Sequence, residues 1–135
     1  MMRKLNLAYL LLIVVVLGVL PGCPKNIHVE GVAPENQSIE LFIRNTGKTM
    51  KVIEKTRKDL LVAAFDLHEA KEISDSDYQT ILNVSEKYDV AFKSAGAALD
   101  ALRKAVDEGK PTSTAAVDTA IAGLKEALAN LEELF

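Results

Sequence analysis

Tryptophan is absent from this 135-residue chain, and only one cysteine, two histidines and four prolines occur. A single cysteine excludes an intramolecular disulfide, and with it any disulfide-held scaffold. Aromatic residues are sparse, at only 5%. Positive charge is not in excess either. The formal net charge is -3, and without Arg3 and Lys4 it falls to -5. A chain of that balance lacks the electrostatic footprint of a nucleic-acid binder. There is no glycine-rich phosphate loop after a strand, no low-complexity tract and no convincing short repeat. What remains is abundant alanine, leucine, lysine and glutamate, which is helix-forming chemistry.

The first residues are the most distinctive. Arg3 and Lys4 precede Leu5 to Leu20, a run that is almost wholly apolar, and Leu20-Pro21-Gly22-Cys23 follows. Positive residues stay on the cytoplasmic side while an apolar stretch enters the bilayer. A permanent helical span needs about 20 apolar residues. Leu5 to Leu20 is shorter than that, so a cleaved signal fits better than a span. The segment resembles a bacterial lipoprotein signal peptide ending in a lipobox. Leu20 and Gly22 match the outer and inner positions of the box, and Pro21 departs from the small or β-branched residue usual between them. The resemblance covers the signal and anchor only; it implies no family for the rest of the chain.

That resemblance implies removal of residues 1–22, lipidation of the Cys23 sulfur and acylation of the new amine. Two or more acyl chains, at ~0.8 kcal/mol per buried CH₂, make a stable attachment. Pro24 stands where an aspartate would resemble an inner-membrane retention signal. The implied location is the cell envelope: the outer membrane facing the periplasm in a diderm, otherwise the outer face of the plasma membrane. The competing reading of Cys23 is an incidental thiol in an uncleaved signal anchor. Residues 23–35 read as a lipidated cysteine and tether, because Pro24, Gly31 and Pro34 punctuate a stretch without sustained periodicity.

Residues 36–135 predict an all-α fold, an up-down-up antiparallel three-helix bundle with coiled-coil-like packing. The first helix is expected over about 36–71. Its seam is Ile39, Ile43, Thr46, Met50, Ile53, Arg57, Leu60, Ala64 and Leu67, which alternates steps of four and three. Phe42, Leu61 and Phe65 broaden that stripe. The second helix is expected over about 74–108, with the seam Tyr78, Ile81, Ser85, Tyr88, Phe92, Ala95, Leu99, Leu102 and Val106. Ser74 to Asp77 supplies cap oxygens, and Ser76 with Gln79 fits a capping box. Gly109-Lys110-Pro111 stops this helix. The third helix is expected over about 113–134, capped from Thr112, Ser113 and Thr114, with the seam Val117, Ile121, Leu124, Leu128, Leu131 and Phe135. Short connections make neighbouring helices antiparallel.

Unequal lengths carry an inference. The first two helices each span on the order of 50 Å, and the third on the order of 35 Å. The third therefore runs out near the level of Arg57 and Glu86. The distal hairpin, with Leu60, Leu61, Phe65, Leu67, Tyr78, Ile81 and Leu82, then lacks a third wall. Large apolar patches mark contact sites, so this tip is either a candidate surface for another envelope protein or a second copy, or a section that covers itself because the helices bend or fray.

Other residues are weighed in the same way. Arg44, Lys48, Lys51, Lys55 and Lys58 share one face of the first helix away from its seam. They form either a cationic ridge for an anionic surface or partner, or a solvated outer face balanced by acids on neighbouring helices. Arg57 lies on the seam itself. It either pairs with Glu86, Glu132 or the carboxylate of Phe135, or snorkels to water. His68-Glu69-Ala70-Lys71-Glu72 lacks the second histidine of a zinc helix, and the other histidine, His28, lies in the tether. Asp75 and Asp77 read as capping charges, not as a paired acid and base. No cofactor or metal is expected, and no nucleophile, base and oxyanion site are organised. The sequence thus points to a non-catalytic, lipid-anchored structural or interaction module. The runners-up are a periplasmic helical protein binding a small ligand near Tyr78 and Tyr88, and a phage- or prophage-type envelope lipoprotein.

Overall fold

A computed structural model describes residues 36–135, so Cys23 and the segments read from the sequence as signal and tether lie outside the described residues. Three helices form: α1 from Gln37–Glu69, α2 from Asp75–Asp107 and α3 from Ala115–Glu132. They pack as an all-α antiparallel bundle, and no strand occurs among the described residues. The first two helices have 33 residues each and the third 18, so the third is the short one.

Helix ends follow from backbone chemistry. Lys71 sits at φ 57°, where its N–H reaches the His68 carbonyl and the N–H of Glu72 reaches Leu67. This is a Schellman closure, and it ends α1 two residues before the expected boundary. Gly109, at φ 63°, closes α2 in the same way, with Gly109 N–H to Val106 and Lys110 N–H to Ala105.

At the start of α2 the capping box lies two residues earlier than expected. Ser74, not Ser76, is the N-cap; its hydroxyl accepts from the Asp77 N–H at 3.1 Å while Asp77 Oδ2 accepts from the Ser74 N–H at 3.4 Å. Asp77 fills the place usually taken by glutamate or glutamine. Gln79 instead donates to Asn83 on the next turn. Thr114 caps α3 without a side-chain hydrogen bond, and the Ser113 hydroxyl accepts from Ala115 N–H.

The four-three seams become the core. At the base, Ile43, Leu102 and Val117 pack together, flanked by Ile39, Phe42, Val106 and Ile121. A larger cluster above it unites Met50, Ile53, Leu60 and Ala64 with Ile81, Tyr88 and Ala95, and with Leu124, Leu128 and Leu131. Each buried leucine or isoleucine contributes about 2 kcal/mol of transfer free energy. Packing of α3 is more extensive on α2 than on α1.

Two expectations about packing need correction. Phe65 does not broaden the core stripe of α1, because it is 51% exposed. The distal section also covers itself more than helix lengths imply. Val117 packs beside Ile43, and 14 residues further, about 21 Å, α3 reaches Leu131 as α1 reaches Arg57. Leu60, Ala64 and Ile81 nonetheless stay buried, at 5%, 0% and 2% exposure. Leu134 and Phe135 beyond α3, with Ile73 and Tyr78 from the hairpin's return, pack against the same cluster.

Candidate interaction surfaces

Arg57 is the centre of the densest polar group. Its seam position directs it across the α1–α2 interface, where Nη2 meets Asp89 Oδ1 at 2.7 Å and Nε donates to the Ser85 hydroxyl at 3.2 Å. Nη1 approaches Glu54 Oε1 at 3.4 Å, one turn back on α1. Its carbon Cζ lies 5.3 Å from the centroid of the Tyr88 ring, within cation–π range. The partners are therefore Glu54, Ser85 and Asp89, and not Glu86, Glu132 or the chain terminus. The reason is register: Ser85 and Asp89 stand one turn apart on the α2 face opposite Arg57, within reach of a single guanidinium.

Tyr88 completes the group. Its ring is fully buried and stacks near Phe92, and its hydroxyl donates to Glu54 Oε2 at 3.2 Å. Burial, reinforced by the Glu54 charge and hydrogen bond, holds the phenol well above its ordinary pKa. It stays neutral and cannot act as a base near neutral pH. Arg57 pairs with Glu54 on its own helix and with Ser85 and Asp89 on α2, so the arrangement aligns α1 with α2. The tyrosine at the middle of the expected ligand gap is thus a core residue. Tyr78 stacks on His68 with ring centroids 4.4 Å apart, while His68 Nε2 bonds Asp75 Oδ1 at 2.8 Å.

A second polar group was missed in the sequence. Glu40 is only 4% exposed, and its Oε1 lies 3.2 Å from both Arg44 and Arg103. It ties the base of α1 to α2. The Glu40–Arg44 spacing of four residues was the available signal; Arg103, distant in sequence, gave none.

All five ridge residues, Arg44, Lys48, Lys51, Lys55 and Lys58, are exposed on α1. The carboxylates that face them come from α1 itself, not from neighbouring helices. Glu40 holds Arg44, Asp59 holds Lys55 at 2.7 Å and Glu54 holds Lys58 at 3.6 Å. Lys48 and Lys51 have no ion pair among the described residues.

Of the seven tip residues, Leu60 and Ile81 are buried, Leu61, Leu67, Tyr78 and Leu82 are half-buried, and Phe65 is exposed. Val62 beside it, 61% exposed, went unnoticed because it falls outside the seam. Elsewhere, burial raises the Glu132 carboxyl above its ordinary pKa. Among the described residues no cluster of His, Cys, Asp and Glu is placed to hold a metal ion, and no helix is long and apolar enough to cross a membrane.

The fold therefore defines a small helical bundle whose polar groups join helices and whose outer surfaces carry its exposed chemistry. Comparison with protein-family models, curated proteins and solved structures finds no match to this chain.

Proposed function

We propose that this chain is a lipid-anchored, non-catalytic structural or protein-interaction module of the bacterial cell envelope. One observation carries the reading: Arg3, Lys4, the apolar run Leu5 to Leu20 and the box ending at Cys23 precede a separate helical unit. Acyl chains on Cys23 fix the position, the tether sets the height, and the bundle presents its faces to a partner. The pairing of Arg57 with Glu54 and Asp89 across the helices supports a structural role for the most reactive-looking residues. The tip around Leu61, Phe65, Tyr78 and Leu82 is the proposed contact with an envelope protein or a second copy.

Expression in a bacterium beside a Cys23→Ser variant tests the anchor. The expected product lacks residues 1–22, gains acyl mass, and loses its membrane attachment in the variant. An unprocessed chain that stays in the membrane without Cys23 overturns the reading in favour of a signal anchor.

A further inference from the structure

We infer that the outer stripe of α1 is a docking face for an anionic lipid surface, on which the bundle lies on its side. This rests on the proposed attachment of the chain to a membrane, and it assigns α1 a second contact there.

The stripe has two chemistries in one line. Arg44, Lys48, Lys51, Lys55 and Lys58 advance by steps of four and three, so they share a face. The same progression continues to Val62, which is 61% exposed, and the docking stripe stops there, short of Phe65 at the tip. A helix face with bases in register and an exposed apolar side chain at one end suits a bilayer interface. Cations meet lipid phosphates while the valine enters the acyl boundary.

The bundle neutralises this stripe only in part. Its carboxylates serve other cations as well. Glu40 faces Arg103 in addition to Arg44, and Glu54 faces Arg57 and accepts from Tyr88 in addition to meeting Lys58. Only Asp59 is committed to a single ridge residue, Lys55. Lys48 and Lys51 stand without an ion pair among the described residues. Positive charge is thus gathered on one face of α1, from Arg44 to Lys58, in a chain whose net charge is -3. Charge complementarity selects an anionic surface, and the flat length of α1, about 50 Å, matches a bilayer better than a compact acidic ligand.

The tether permits this pose. About a dozen residues separate Cys23 from the start of α1, enough for roughly 40 Å of extended chain. The anchor therefore does not force α1 to stand upright.

The test is amine footprinting of the full chain. The protein is purified from bacterial membranes and reconstituted into vesicles of phosphatidylcholine alone, or of phosphatidylcholine with phosphatidylglycerol. An acetylating reagent then modifies accessible lysines, which mass spectrometry quantifies. Lys48, Lys51, Lys55 and Lys58 are expected to be protected on the anionic vesicles only, with Lys93, Lys104 and Lys110 equally reactive on both. At 1 M salt, where the screening length shrinks to about 3 Å, the protection disappears. Each lysine removed weakens the contact by about fivefold, so Lys48→Glu with Lys51→Glu abolishes the protection of Lys55 and Lys58. Both sites are exposed, and an unchanged circular dichroism spectrum verifies the fold.

Equal reactivity on both vesicle types overturns the inference. So does protection on neutral vesicles that grows with protein density, which identifies a second copy as the occupant. Intact mass of the same sample reports acylation separately, so a missing lipid and a missing footprint are distinguishable.

Discussion

Arg57 bridges the two long helices through Asp89, with Nη2 and Oδ1 2.7 Å apart and the arginine side chain only 16% exposed. The bridge is asymmetric, because Asp89 retains 44% exposure and can be rehydrated. Arg57→Ala removes the half-buried cation from Glu54, Asp89, the Ser85 hydroxyl and the face of the Tyr88 ring, and is expected to cost about 2–3 kcal/mol. Asp89→Ala is expected to cost under about 1 kcal/mol, as for a solvated partner. Urea denaturation of both variants measures the difference; equal losses would refute the asymmetry.

Three helix-interior glycines give stabilising substitutions. A methyl group at Gly47, Gly96 or Gly123 meets nothing within 4 Å. Each glycine-to-alanine change is expected to add about 0.5–1 kcal/mol. Gly109→Ala should do the reverse, since its φ of +63° disfavours a side chain. Lys71→Gly relieves the same strain at the end of α1 and should raise Tm. Thermal melts of the five variants check the pattern.

Glu132 gives a pH-dependent outcome. Burial raises its folded-state pKa above the ordinary carboxylate value. The folded state therefore binds the proton more tightly than the unfolded chain, and this contribution to stability is lost as pH rises through the folded pKa. Glu132→Gln removes the ionisation. The variant should be more stable than the parent at pH 7, with the gain vanishing in acid below the unfolded carboxyl pKa. Denaturation midpoints across that range decide it; a gain that grows in acid would contradict the sign.

The proposed tip contact separates from the fold by burial. Phe65→Asp acts on a side chain that is 51% exposed, whereas Ile81→Asp places a charge at a site that is 2% exposed. The first is expected to leave the melting temperature within a few degrees while abolishing self-association or partner capture. The second should unfold the bundle. Sedimentation velocity, cross-linking in the envelope and circular dichroism together read both effects. Association that survives Phe65→Asp at full strength would remove the tip from consideration.

Much of the fold was legible because one rule governs it. Four-three spacing identified Ile43, Met50, Leu60, Ile81, Leu102 and Leu124 as core, and each is buried. Periodicity describes single helices, however, and the tertiary partners of polar residues depend on register between helices. That is why Arg57 was recognised as exceptional while Ser85 and Asp89 were not recognised as its partners. Glu40 was overlooked for the same reason: its second guanidinium, on Arg103, arrives from another helix. The ridge of α1 was visible as a pattern, but its surplus charge emerges only when Glu40 and Glu54 are seen to be shared. Tip burial depended on Leu134, which falls outside the seam of α3, and on Phe135, which keeps its seam role beyond the last helical residue.

The placement of Lys71 at the far end of α1 has a mechanical consequence. A load applied between residue 36 and the hairpin at residues 70–74 travels along α1 alone, through backbone bonds aligned with the pull. It bypasses the backbones of α2 and α3, which lie alongside as a splint. Stretching α1 would have to shear the seam from Ile43 to Ala64 across its whole length at once, instead of opening it one contact at a time. The bundle is in that direction a stiff strut.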